Sequence, residues 1–332
     1  MTNPTHRLAP VVRLAPAKLN LTLAVLGRRP DGYHNLHTVM VPLAIADRLS
    51  LAVTAGGEDT LRVEGPDCGP AEHNLVLRAI AAVRAAVGRG AVTPPLAARL
   101  EKRIPVAAGL GGGSSDAAAA IDAALEAWSA ELDAERRLAV AAALGSDVPF
   151  FLSGGPALAE GRGERLTPLR GIRGEPPGVL LVTPALPVPT PEVFAALAAG
   201  GSAAPASPGA TRISSVHLAG ELLGGALRAA DLVARAGILA TANDLAAAAA
   251  AVTPGLLPFR RALARLLGRP VGLSGSGPSL WAIYPSEAAA AEGAAALRAA
   301  VAEGRLQVPG DGPPFIAATV ILSRAEEEKP PP

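Results

Sequence analysis

Cysteine is almost absent: Cys68 is the only one in 332 residues. An intrachain disulfide framework is excluded, and a reducing compartment is the simplest setting. Cys68 stands in a loop flanked by Gly and Pro, with no histidine motif to activate it, and reads as an ordinary thiol. Charge of one sign is also missing. Thirty Lys and Arg face twenty-nine Asp and Glu, for a formal net charge of +1. That excludes the basic stripe of a general nucleic-acid binder. The one acidic block is Glu326-Glu327-Glu328, beside a proline-rich end. Long apolar runs are lacking too, although 50% of the residues are hydrophobic. A bilayer span takes about 18 consecutive apolar residues. The alanine-rich run from Leu245 to Val252 is far shorter. No apolar stretch follows His6 and Arg7, so no signal peptide is expected, and a cytoplasmic protein without a membrane partner is. His6, His34, His37, His73 and His217 form no HxxxH or HExxH pattern, so no protein metal site is expected. There is no internal repeat.

What is present is glycine in one telling place. Pro105-Val106-Ala107-Ala108-Gly109-Leu110-Gly111-Gly112-Gly113-Ser114-Ser115-Asp116 runs straight into an alanine-rich segment of helical character. Glycine tolerates the positive-φ turns that let backbone N–H groups converge on an anion. The helix behind adds unpaired N–H groups and the positive end of its dipole. Phosphate is the natural guest. A ligand-free connector is the alternative, but four glycines between Gly109 and Ser114 are entropically costly unless used. The loop lacks the Lys-Ser/Thr pair of a Walker motif and the G-x-G-x-x-G spacing of a dinucleotide fingerprint.

The length allows two domains or one large one. Leu19, Leu21, Leu23 and Val25 alternate with their neighbours and predict a strand; Leu36 to Leu43 and Arg48 to Thr54 predict two more, in a mostly antiparallel sheet. Arg28 to Tyr33 contains a Pro-Asp-Gly turn. Asn74 predicts the cap of a helix over Leu75 to Val87, with Gly88 at its end. Leu96 to Arg103 predicts a strand. Helices are predicted at Ser114 to Trp128 and Asp133 to Leu144, with Gly145 as stop and Pro149 opening a short element. Leu158 to Leu169 predicts two short strands split by Gly161 and Gly163. Val179 to Val182 predicts a buried strand, and Gly200 to Gly209 a surface loop. Helices are predicted across Val216 to Leu267 and over Ser286 to Val301. Strands are predicted at Val271 to Ser274, Leu280 to Tyr284 and Phe315 to Leu322, the first two around the turn Gly275-Ser276-Gly277-Pro278. The expected division is 1–165 and 166–325, with a disordered tail over 326–332.

Without a P-loop lysine, the loop needs another cation. Lysine occurs only at Lys18, Lys102 and Lys329. Lys18, at the start of the alternating strand, fits that need; it equally fits a charge guarding a strand edge. Asp147 precedes Val148-Pro149-Phe150-Phe151. A carboxylate against an apolar wall suits a general base, and a helix N-cap is the plain alternative. Tyr33 and His34 follow a turn, where a surface role and a binding role both fit.

Taken together these segments resemble the GHMP kinases, the superfamily of galactokinase, homoserine kinase and mevalonate kinases. Ala15-Pro16-Ala17-Lys18-Leu19-Asn20-Leu21 resembles its N-terminal motif. Pro105 to Ala117 resembles its phosphate-binding motif, and Leu273-Ser274-Gly275-Ser276-Gly277-Pro278-Ser279 its C-terminal glycine motif. Arg29-Pro30-Asp31-Gly32-Tyr33-His34 and Gly145-Ser146-Asp147-Val148-Pro149-Phe150-Phe151-Leu152 narrow the resemblance to the branch serving the non-mevalonate isoprenoid route. The resemblance spans roughly residues 11–323.

It implies an α+β, two-domain fold with mixed and antiparallel sheets, helices packed on them, and an active site in the inter-domain cleft. It implies transfer of the γ-phosphoryl group of ATP, with Mg²⁺, to the 2-hydroxyl of a cytidyl-diphospho-methylerythritol. Lys18 and Asp147 match the catalytic pair, and Pro105 to Ser115 the ATP loop. Asn20, Tyr33 and His34 match substrate positions, with Tyr33 and His34 on the cytosine ring. A monomer or weak homodimer is expected, with only small-molecule partners. Asn243-Asp244 resembles a pair in the second domain, without an assigned role. Ala107-Ala108 departs from the more glycine-rich loops of relatives. The rival readings are a homoserine- or mevalonate-type kinase, a catalytically silent ligand sensor of the same fold, and a structural protein with a glycine-rich turn.

Overall fold

The computed structural model describes residues 9–88, 90–200 and 209–323. The expected tail over 326–332 and most of the expected loop over 200–209 lie outside the described residues. Contacts group the chain into two compact units assembled from separate stretches. The first takes the chain up to Ala17, Ile45–Val106 and Gly111–Leu152; the second takes Lys18–Ala44, Ala107–Leu110 and the chain from Ser153 onward. Strand β1 (Val11–Asn20) pairs with β3 (His34–Val53), and both pass from one unit into the other.

In the first unit, the later half of β3 pairs antiparallel with β5 (Leu96–Glu101), from Arg48 opposite Glu101 to Val53 opposite Leu96. Strand β4 (Thr60–Glu64) pairs parallel with β5, the one parallel pair in these strands of the mostly antiparallel sheet expected. Four helices complete the unit: α1 (Leu75–Val87), α2 (Gly112–Ala127), α3 (Ala134–Leu144) and α4 (Val148–Leu152). Their ends follow the local chemistry. Asn74 Oδ1 accepts from Val76 N–H at 3.0 Å, and Gly88 at φ +84° ends α1. Asp133 caps α3 through Arg136 N–H at 2.7 Å, and Gly145 ends it. The core joins Leu49, Leu51 and Leu100 of the sheet to Ile80 and Val83 of α1. Ala117 to Ala120, Ala123 and Ala124 of α2 are buried with them, and their small side chains let helices approach closely. At its margin Asp59 takes two N–H groups of Arg84, at 2.5 and 2.8 Å, and Leu96 N–H at 2.8 Å.

In the second unit, the earlier half of β3 lies between β2 (Ala24–Arg28) and β6 (Ala157–Gly161), antiparallel to both, and β6 pairs with β7 (Arg165–Pro168). A second, fully antiparallel sheet runs β11 (Phe315–Val320), β8 (Gly178–Thr183), β10 (Leu280–Tyr284), β9 (Gly272–Leu273). Every residue of β8 and β10 is buried, which explains their unbroken apolar reading. The helices are α5 (Thr190–Ala199), α6 (Ala210–Gly224), α7 (Ala229–Ala234), α8 (Ala236–Thr241), α9 (Ala246–Val252), α10 (Leu256–Leu267) and α11 (Glu287–Ala302). Leu180, Val182, Phe259, Leu273, Leu280 and Leu297 form the centre of this core. Among the described residues no helix is long and apolar enough to cross a membrane.

Three of the predicted elements take a different form. The strand expected over residues 19–26 breaks after Asn20 and resumes at Ala24. Leu21 and Leu23 stay buried, but their backbones change partner: Leu21 N–H donates to Val39 O at 2.9 Å, and Leu23 N–H to Ala242 O at 2.8 Å. The strands expected at 36–43 and 48–54 are one 20-residue strand, β3, because no turn residue interrupts Ile45-Ala46-Asp47. Helix α2 starts at Gly112, two residues before Ser114, because Gly111 caps it at φ +70°.

Candidate active site

The glycine segment is tied down on both sides of Leu110. In the second unit, Ala108 O accepts from Ser279 N–H at 3.2 Å, Gly109 O from the Ser274 hydroxyl at 2.9 Å, and Leu110 O from Lys18 N–H at 2.9 Å. Gly109 sits at φ +76°, and a Cβ there would lie 2.3 Å from Ser274 O. Only glycine fits both the conformation and the gap. Ala107 adopts φ +52°, a left-handed conformation that costs an L-residue about 1–2 kcal/mol. Part of that cost returns through the greater chain entropy of unfolded glycine. Ala107→Gly is therefore expected to raise Tm by about 1–2 °C, read by thermal melts of the two proteins. An unchanged or lower Tm would mean that the loop holds Ala107 without strain.

In the first unit, α2 opens on Gly112, Gly113 and Ser114. The first N–H of its ladder to find a helical partner is that of Ser115, on Gly111 O at 2.9 Å. The N–H groups before it point from the helix start, where the dipole favours an anion. Gly113 is exposed, and a Cβ on it would meet nothing closer than Leu75 Cδ1 at 3.8 Å. The Ser115 hydroxyl is buried with no hydrogen-bond partner. A buried orphan of this kind at a helix start fits a phosphate-binding turn. Pro105 and Val106 lead into the segment, and Val106 is exposed.

Lys18 is buried. Its Nζ donates to Asn20 Oδ1 at 2.6 Å, and Asn20 Nδ2 donates to Thr38 Oγ1 at 2.8 Å. Spacing of two on a strand puts Lys18 and Asn20 on one face. Thr38 donates to Thr22 O at 2.5 Å. The chain fixes the orientation of the Asn20 amide and anchors the ammonium. The second glycine turn is held by Asn243, whose Nδ2 donates to Leu273 O at 3.0 Å and Gly275 O at 2.8 Å. Asp244 Oδ2 accepts from Val25 N–H at 2.9 Å. Asn243 thus fastens the second glycine turn and Asp244 the start of β2, roles their sequence did not announce.

Asp147 closes the short link between α3 and α4. Val148 N–H returns to Gly145 O at 3.2 Å, and a Cβ on Gly145 would lie 4.0 Å from the Ser114 hydroxyl. The link therefore passes beside the start of α2 within the first unit. Val148, Pro149 and Phe150 behind Asp147 are buried.

Tyr33 and His34 face different neighbours. The Asp31 carboxylate accepts Tyr33 N–H at 3.1 Å and pairs with Arg29 at 3.0 Å, closing the turn. The Tyr33 ring is 55% exposed, with the Arg162 guanidinium 5.0 Å from its centroid. His34 stacks on Phe194 of α5, with centroids 5.0 Å apart and planes 24° off parallel. Burial, then Arg28, holds the His34 imidazole below its usual pKa, which favours the neutral ring. A ring as exposed as that of Tyr33 suits stacking on a flat heterocycle. Phe194 escaped the sequence reading because α5 did; Pro191 in its first turn was the available signal.

Residues 74–155 match the family described as GHMP kinases N terminal domain. The 4-diphosphocytidyl-2-C-methyl-D-erythritol kinase of Deinococcus radiodurans is 40% identical over 296 residues, 88% of this chain and 91% of that one. Its counterpart from Pelotomaculum thermopropionicum is 50% identical over 190 residues, 57% of this chain and 64% of that one. A crystal structure of 4-(cytidine 5'-diphospho)-2C-methyl-D-erythritol kinase matches with a TM-score of 0.67 and 35% identity, over 93% of this chain and 99% of that one. The α+β fold expected from the motifs is the fold of that relative. With 40% identity along nine-tenths of a relative, this chain belongs to the 4-diphosphocytidyl-2-C-methyl-D-erythritol kinase family of GHMP kinases.

Proposed function

We propose that the protein transfers the γ-phosphoryl group of ATP to the 2-hydroxyl of 4-diphosphocytidyl-2-C-methyl-D-erythritol, in the non-mevalonate route to isoprenoid precursors. The observation that carries this reading is the anchored glycine segment: Leu110 O is bonded to the backbone of Lys18, and Gly111 then caps helix α2. The same reading places the protein in the cytoplasm, as a monomer or weak homodimer with small-molecule partners.

Phosphoryl transfer asks a protein mainly for position and charge. The N–H groups of Gly109 to Ser114 hold the β- and γ-phosphates, and the Ser114 and Ser115 hydroxyls orient them. Mg²⁺ carried in by the nucleotide would supply neutralisation of the phosphate charge. Asp147 accepts the proton of the substrate hydroxyl. The freed oxygen forms its bond to the γ-phosphorus as the bond to the β-phosphate oxygen breaks, and ADP leaves. Lys18 stabilises the negative charge on the transferring group. Asn20, which holds the Lys18 ammonium, also lies toward the substrate. Tyr33 and His34 hold the cytosine ring.

Stacking acts in ground and transition states alike. Tyr33→Ala is therefore expected to raise KM for the cytidyl substrate by about 5–100-fold, from the 1–3 kcal/mol a base–aromatic stack is worth. The value of kcat should change little. Steady-state kinetics check this; a kcat loss at unchanged KM would remove Tyr33 from the substrate site. The activity itself is tested by ADP release across a panel of the cytidyl substrate, homoserine and mevalonate. ADP with the first alone supports the reading. Turnover of another acceptor, or of none, overturns it.

A further inference from the structure

Asp47, Lys102 and Asp116 form a buried cluster in the first unit that the proposed chemistry does not use. Lys102 Nζ pairs with Asp47 and, at 2.7 Å, with Asp116. Their exposures are 8%, 0% and 2%. Two carboxylates on one ammonium leave one negative charge in excess where water is excluded. Such a charge is costly, and a single shared proton removes it.

The hydrogen bonds say which carboxylate takes the proton. Asp47 Oδ1 accepts Arg103 N–H at 2.5 Å and Ile104 N–H at 2.8 Å, and its Oδ2 takes Lys102. Three donors thus converge on Asp47. Asp116 commits Oδ2 to Lys102, and its buried Oδ1 has no partner. Asp116 is therefore the group that protonates.

Its position matters. Asp116 is the fifth residue of α2, and a Cβ on Gly112, the first, would lie 3.2 Å from Lys102 Nζ. The cluster thus underlies the turn that, on the kinase reading above, receives the nucleotide phosphates. An anion on those N–H groups disfavours a second negative charge just beneath them. We infer that nucleotide binding at the start of α2 is coupled to proton uptake by Asp116, which leaves a neutral Lys102–Asp47 pair under the phosphates. Asp116 is a positioning residue in this account, because it acts through Lys102 and the helix start.

Burial, opposed by Lys102 and reinforced by Asp47, holds the Asp116 carboxyl at about 7, so the exchange falls near neutral pH. Lys102 and Asp47 are the charges that face it. The Cys68 thiol, raised mainly by its own burial, also senses the cluster. The helices packed on α2 bury only apolar residues: Val76, Ala79, Ile80 and Val83 of α1, Ala141 of α3, and Val148, Pro149 and Phe150 of α4. Asp122, farther along α2, is paired with Arg137.

The test is calorimetric titration of the full-length protein with MgADP at pH 7.5, in buffers of different ionisation enthalpy. A rise of about one unit at Asp116 gives roughly half a proton taken up per nucleotide. Asp116→Asn keeps the shape and removes the titration, so it should bind MgADP with that uptake gone. Affinity of the wild type should tighten as pH falls from 9 to 6. Equal proton counts in the two proteins would overturn the inference while leaving the kinase reading intact; no MgADP binding by the wild type would overturn both. If Asp116→Asn fails to fold, infrared difference spectra of the wild type decide. A carboxylic-acid carbonyl band appearing with MgADP supports the inference, and its absence rejects it.

Discussion

Asp147→Asn is expected to lower kcat by roughly 10²–10⁴-fold, the range for losing a general acid or base. The amide has nearly the volume of the carboxyl, so the packing of Val148, Pro149 and Phe150 should survive. Asparagine cannot accept the substrate's proton. The loss should therefore fall on kcat, with KM for both substrates within a few-fold of wild type. Near-normal turnover would reject Asp147 as the base and leave it as a helix cap.

Lys18→Met should also cripple turnover, by about 10²–10³-fold, the scale for removing one preorganised group that stabilises developing charge. Methionine keeps much of the length of the side chain and loses the ammonium. Asn20 Oδ1 then loses the donor it has at 2.6 Å, in a buried place, which costs about 1–3 kcal/mol of stability. A thermal melt should therefore accompany the kinetics. Affinity for ATP, measured by direct titration, should change little, because the loop N–H groups supply that binding. If ATP binding collapsed instead, Lys18 would be a nucleotide clamp, and the charge assigned to it in the transition state would be misplaced.

The features legible in the sequence are those whose causes are local. Asn74 announced α1, because a cap acts within three residues of itself, and Asp133 and Ser286 cap α3 and α11 in the same way. The glycine loop was legible because so many adjacent glycines have few structural uses. Lys18 was legible as a cation the loop could need, and Asn20 entered only through the family motif; their shared face follows from the spacing of two on a strand. What was hidden depends on distant chain. Strand β4 is short and polar, and exists through parallel pairing with β5 about 37 residues away. Asp47 and Lys102 meet across 55 residues, so nothing near either lysine or carboxylate marks the pair. Asn243 is the same case: its partners, Leu273 and Gly275, lie 30 and 32 residues on. The interleaving of the two units, with β1 and β3 belonging to both, is a property of tertiary contacts that no periodicity encodes.

The most direct measurement is phosphorus NMR of the wild-type protein with ATP, Mg²⁺ and 4-diphosphocytidyl-2-C-methyl-D-erythritol, run beside Asp147→Asn. ADP should form in step with one new phosphomonoester on the 2-hydroxyl, at a rate the variant fails to approach. An unmodified cytidyl substrate after prolonged incubation with wild-type protein that binds ATP, or a phosphoryl group on a different hydroxyl, would contradict the account.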